Sequence, residues 1–151
     1  MTSDDVPRRA ASRDDERIVR AMFAAINARR FEDYLAHCDP QVVYEAPYYA
    51  GFGERRGTAE LGAMLTAVGE RFAEIDYRVV DLWRAADRPV VVAEVRGDHL
   101  IAATGNRYRN HYVNLIEFSG GRVIRWREFS NPSVYEQAAG NAGSGTGTVA
   151  S

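Results

Sequence analysis

Residues 107–130 read RYRNHYVNLIEFSGGRVIRWREFS, two alternating runs of apolar and polar residues joined across Ser119, Gly120 and Gly121. Alternation with period two on either side of paired glycines predicts a β-hairpin. Residues two apart in a strand share a face. Ile124, Trp126, Glu128 and Ser130 therefore point one way, and Val123, Arg125, Arg127 and Phe129 the other. The arginines mark the second face as the wetter one, so Glu128 is expected to look inward beside Trp126. Apolar surroundings disfavour a charged carboxylate and raise its pKa towards the range where it exchanges protons near neutral pH. The structural alternative is a Glu at a sheet edge, paired with an arginine such as Arg109 or satisfied by a backbone amide.

Outward from this hairpin the pattern remains β-like. Residues 89–99, PVVVAEVRGDH, and 74–84, EIDYRVVDLWR, each alternate, the latter at Ile75, Tyr77 and Val79. Further upstream the period becomes helical. Thr58–Arg71 carries Leu61, Met64, Leu65 and Val68 on one face, and Ile18, Val19, Met22, Phe23 and Ile26 recur at helical spacing. Ser12 with Asp15 three residues later is a capping-box spacing that starts the first helix. Phe31–Cys38 reads as a short second helix stopped by Asp39 and Pro40, followed by a strand over 41–47 and a loop over 48–57. Asn131–Ala138 adds a final short helix. Helices first and then four consecutive antiparallel strands predict an α+β domain, a curved sheet with one face covered by helices. Residues 13–138 form the expected single domain, with 1–12 and 139–151 as polar or Gly-rich tails.

Composition narrows the function. The chain has 151 residues, 46% of them hydrophobic, and a net charge of -2 with scattered arginines, which gives no electrostatic reason to bind nucleic acid. One cysteine, Cys38, excludes an internal disulfide, and the N-terminal residues lack the apolar core of a signal peptide, so a cytoplasmic protein is expected. No apolar run reaches the roughly 18 to 20 residues of a membrane helix. His37, His99 and His111 lack the close same-face spacing of a zinc site, and no metal is expected. GFGERRG over 51–57 lacks the Lys-Ser/Thr of a phosphate loop and reads as a plain loop.

Thr104–Pro132 together with NARRFEDYLAHCDPQVVYEAP over 27–47 resembles the SnoaL-like polyketide cyclases of the nuclear-transport-factor-2-like superfamily. The resemblance implies a cone of three helices against a strongly curved sheet, an interior pocket, frequent homodimers, and acid-base chemistry without a cofactor. Gap-free alignment with the ketosteroid isomerases of that superfamily puts Met22, Ala46 and Asn114 where their tyrosine and two acids stand, so that activity is not expected. The order Trp126, Arg127, Glu128 resembles limonene-type epoxide hydrolases, whose water-activating acid matches Glu128. Their arginine and second acid fall on Val95 and Gly97, and only a one-residue slip restores Arg96 and Asp98. The phenazine-biosynthesis A/B proteins share the order Arg-Glu-Phe, and their acid-base glutamate again matches Glu128, but their pocket histidine falls near Met64.

The same alignments turn Tyr44 and Ala46 inward on the first strand, with Val91, Ala93, Val95, Gly97 and His99 on the strand after residue 88. On the penultimate strand they turn Asn110, Tyr112, Asn114 and Ile116 inward. Periodicity alone leaves that last choice open. A two-residue turn at Gly120 and Gly121 would set His111 and Val113 across from Glu128, whereas a three-residue turn with a Gly-centred bulge restores the family register; the bulge is the expectation. Glu128 is the expected proton-transfer group and His99 a second acid-base candidate. Tyr44, Asn110, Tyr112, Asn114, Trp126 and Ser130 are the expected substrate contacts, the amides and hydroxyls orienting a carbonyl or enolate. Tyr44, Tyr48, Tyr49 and Phe52 suit a small hydrophobic or conjugated ligand at a pocket mouth. The leading functional expectation is a cofactor-free enzyme that closes or rearranges a ring in a polyketide-like metabolite. Epoxide hydrolysis, alcohol dehydration and ligand binding without chemistry are the alternatives.

Overall fold

The computed structural model describes residues 9–140. Ser12 caps the first helix, α1 (Arg13–Asn27), its hydroxyl accepting from the Asp15 amide while the Asp15 carboxylate accepts from the Ser12 amide. Val19, Met22, Phe23 and Ile26 form the buried stripe of α1. Each such side chain contributes on the order of 1.5–3 kcal/mol when fully buried. α2 (Phe31–Ala36) is a short helix that buries Tyr34, and α3 (Gly57–Arg71) buries Leu61 and Leu65.

Seven strands make one sheet: β1 (Cys38–Glu45), β2 (Glu54–Arg56), β3 (Phe72–Glu74), β4 (Tyr77–Arg84), β5 (Val90–Ile101), β6 (Arg107–Ser119) and β7 (Arg122–Phe129), followed by α4 (Pro132–Gly140). The order is β2-β1-β7-β6-β5-β3, with β4 also pairing with β5. This is the expected α+β arrangement with one difference, since the sheet is mixed. β1 lies parallel to β7, reached through the helical and meander segments between them, and every other pairing is antiparallel.

Four local expectations need correcting. Asp39 and Pro40 do not end α2 before a strand; they belong to β1, which begins at Cys38. The loop over 48–57 contains β2, which adds to the free edge of β1. The 3-residue β3 was not foreseen, being too short for its alternation to register. Residues 1–8 and 141–151 of the expected tails lie outside the described residues, but Ala11 is buried, with its amide turned towards the Ala85 and Arg88 carbonyls, and Ala139 and Gly140 complete α4.

The hairpin supplies the register that positions the site. Gly120 and Gly121 both have positive φ, 57° and 78°, and Ser119 pairs with Arg122, so the turn has two residues. The extra residue is Ile124, bulged between the Phe118–Val123 and Glu117–Arg125 pairs. Beyond it Asn114 stands opposite Glu128 and Ile116 opposite Trp126, the family register reached by a different irregularity. The bulge also exchanges two residues. Val123 is buried on the core side, whereas Ile124 is only half-buried.

Candidate active site

Between the helices and the concave face of the sheet lies a cavity of about 540 Å³. Each wall owes its position to a local feature. Asn27, at the end of α1, donates to the Tyr77 carbonyl (2.8 Å) and accepts from its amide (2.7 Å), fixing Tyr77 against Phe23. The parallel pairing sets Tyr44 of β1 beside Trp126 of β7, with nearly stacked rings. β7 then carries Glu128 into the same space two residues later.

The Tyr44 hydroxyl donates to Glu128 Oε2 at 2.7 Å. No ion pair engages Glu128 among the described residues, and burial raises its pKa above the ordinary carboxylate value, opposed in part by the Tyr44 hydrogen bond. The converse holds for the phenols around it. Burial first, and then the negative charge of Glu128, hold Tyr44 and Tyr77 in their neutral forms, and burial, then Cys38, then Glu128 do the same for Tyr34. Beside this group, Trp126 Nε1 donates to Asn114 Oδ1 at 2.9 Å. An indole N–H can only donate, so it fixes the amide with oxygen towards Trp126 and leaves the buried Nδ2 without a partner.

Of the residues expected from sequence, Glu128, Tyr44, Tyr112, Asn114 and Trp126 line the cavity together. Ser130 and Asn110 stand behind the lining. Ser130 is 3.1 Å from the Tyr49 hydroxyl, and Asn110 donates to the Tyr108 hydroxyl at 2.8 Å, so both support the chain in which Tyr112 donates to Tyr108 and Tyr108 meets Tyr49. His99 is placed elsewhere. It is fully buried among Phe72, Tyr77 and Tyr108 and is absent from the cavity lining. Its Nδ1 accepts from the Asp76 amide at 3.1 Å, and burial pulls its pKa down to about 4, so it is a neutral packing residue. Tyr48 also points away, exposed and packed on Phe129.

Val95 and Gly97 face the core while Arg96 is exposed and Asp98 accepts from Arg107 and Arg109 on the outer face. The one-residue slip that would bring Arg96 and Asp98 inward does not occur. Among the described residues no three His, Cys, Asp or Glu side chains converge as a metal-ligand set. Tyr34, Tyr77, Arg55 and Arg71 were not singled out from sequence as cavity residues, although all four line it. Helical spacing could have found Tyr34, and the alternation at Ile75, Tyr77 and Val79 could have found Tyr77. Nothing local distinguishes the two arginines from the others.

The architecture is the nuclear-transport-factor-2-like fold. Residues 19–126 match the SnoaL-like domain, and the chain belongs to that family. It is 29% identical over 126 residues to the uncharacterized protein YesE of Bacillus subtilis, covering 82% of this chain and 86% of YesE. A crystal structure of a "putative isomerase" from Bacillus subtilis superposes with a TM-score of 0.79 at 25% identity, covering 84% of this chain and 93% of that one. A structure of an LEH-like epoxide hydrolase from M. tuberculosis shares the fold with a TM-score of 0.68 at 20% identity over 85% and 91% of the two chains. No helix among the described residues is long and apolar enough to cross a membrane.

Proposed function

We propose that this protein is an acid-base enzyme of the isomerase or cyclase type, acting on an enolisable, polyketide-like carbonyl compound with Glu128 as the proton carrier. The observation that carries this reading is the Glu128 carboxyl inside an aromatic cavity, held by a phenol and compensated by no cation among the described residues. Burying such a group costs stability, and a cavity that only binds apolar ligands has no use for it.

The Glu128 carboxylate removes a proton from carbon next to the carbonyl, and the C–H electron pair moves into an enolate. Tyr77, a neutral phenol of the lining, donates to the oxygen that gains charge. Where a C=C bond is conjugated with the enolate, the far carbon takes the proton back from Glu128 and the double bond shifts, which is isomerisation; otherwise the α-carbon attacks a second carbonyl carbon. In that case a C–C bond forms and Glu128 protonates the new alkoxide. The aromatic walls hold the substrate in the reactive conformer, which removes a large part of the entropic barrier.

The test is exchange of α-hydrogens for deuterium in heavy water, followed by NMR on 2-tetralone, a flat enolisable ketone. Wild type is expected to exceed Glu128→Gln by about 10²- to 10⁴-fold. Equal rates would sink the proton-transfer role. Hydrolysis is the second reading, favoured by the Trp126-Arg127-Glu128 order and opposed by the outward Arg96 and Asp98. An epoxide turned over in heavy-oxygen water yields a diol carrying one label only if it is correct.

A further inference from the structure

Ring contacts line the cavity as an arc. It runs from Phe52 through Tyr44 to Trp126 on one side and reaches Tyr108 and Tyr135 on the other. A guanidinium closes each end: Arg55 sits over Phe52 at 4.2 Å, and Arg71 over Tyr135 at 5.5 Å from the ring centre. Both arginines belong to the lining, Arg55 half-buried and Arg71 exposed, so they mark where the cavity meets solvent.

The two differ in what they already hold. Arg55 donates to the Phe52 and Glu54 carbonyls, at 2.6 and 3.2 Å, and thereby shapes its own loop. Arg71 makes no side-chain hydrogen bond or ion pair among the described residues; its guanidinium only stacks on Tyr135. Glu60, another lining residue, accepts from the Arg56 amide at Oε2 instead. Arg71 at the end of α3 is thus a cation held in place by an aromatic ring with its five donors unused.

We infer that the substrate is amphipathic, a conjugated body that fills the aromatic cavity and an anionic oxygen group, a carboxylate, that Arg71 binds at the rim with Arg55 as the second positive charge. This rests on the cavity being the substrate site proposed above. The charges order the ligand from both ends. The Glu128 carboxylate inside repels an anion, and the rim arginines attract it, so the substrate enters with its uncharged, reacting end first. A guanidinium also matches a carboxylate in bidentate geometry, which a neutral amide or ester cannot exploit.

Calorimetric titration with biphenyl-4-carboxylate and its uncharged partner biphenyl-4-carboxamide separates the outcomes. At low salt the wild type is expected to prefer the carboxylate by about tenfold, with the preference shrinking as salt screens the rim. Arg71→Gln, which removes the charge and shortens the side chain but leaves the aromatic cavity in place, is expected to abolish the preference while leaving amide affinity within about twofold. The absence of any preference in wild type, no binding of the carboxylate up to its solubility, or an equal loss for both ligands in Arg71→Gln would each overturn the inference. Glu128→Gln, which removes the inner repulsion and leaves the rim arginines in place, is expected to hold or raise the preference, and its loss in that variant would also overturn the inference. A failed exchange experiment and a failed anion preference are therefore read independently.

Discussion

At the scale of single residues, burial tunes two groups in opposite senses, and both leave a signature in the pH dependence of stability. His99 is uncharged in the fold, with its pKa lowered from 6.5 to about 4 by burial. Below pH 6.5 the unfolded chain takes up a proton that the folded chain refuses, so stability is lost as pH falls towards about 4. The span corresponds to roughly 3 kcal/mol. Glu128 has the reverse sign. Its pKa is raised above 4.5, so the fold keeps a proton that the unfolded chain releases, and stability falls as pH rises through the folded value. Urea unfolding from pH 4 to 8 should show the acid-side slope flattened in His99→Asn, whose carbonyl can still accept from the Asp76 amide. The falling contribution above pH 4.5 should be missing in Glu128→Gln. Unchanged profiles in both variants would mean that neither group is desolvated as described.

At the scale of elements, the bulge at Ile124 and the glycine in β5 do most to aim the site. The bulge shifts β7 by one residue so that Trp126 and Glu128 face Ile116 and Asn114. Without a shift a two-residue turn would have set Val113 and His111 across from the acid. Gly97 answers a different need, since a Cβ there would lie 2.5 Å from His99 Nε2 and 2.8 Å from Tyr112 Cε2. Gly97 lets two rings close over the strand, which keeps Tyr112 in the cavity wall. Gly97→Ala is expected to cost about 1–3 kcal/mol by overpacking. It should also weaken ligand binding by displacing Tyr112. A melting temperature equal to wild type would show that the rings have room to move.

At the scale of the whole molecule, the cavity exists because β1 and β7 pair in parallel and bring the first strand against the last. That closure joins Tyr44 to Glu128 across 84 residues of sequence and lets α1, α2 and α3 cover the concave face. The convex face is left with exposed Trp83 and Val113, paired in register with the outward residues Val92 and Glu94 of β5. The family resemblance implies homodimers, and this apolar patch on the sheet is where a second copy would bury surface. Sedimentation equilibrium should find wild-type dimers and Val113→Arg monomers. A monomeric wild type would remove the pairing expectation.

The hairpin, the capping box of α1, the buried faces of α1 and α3 and the inward Glu128 beside Trp126 were legible because each depends on local periodicity or turn chemistry. The sequence by itself determined that an α+β domain would turn one carboxylic acid towards its core. It could not determine the bulge position, because Gly120-Gly121 is compatible with more than one register until Asn114 and Trp126 meet and hydrogen-bond. Nor could it separate His99 from Glu128, since the same alternation turns both inward; only packing encloses one in rings and opens a cavity before the other. The pinning of Tyr77 by Asn27 and the juxtaposition of Arg71 with Tyr135 were likewise decided by tertiary structure. They join residues 50 and more positions apart, and no local pattern encodes contacts that form only when helices close over the sheet.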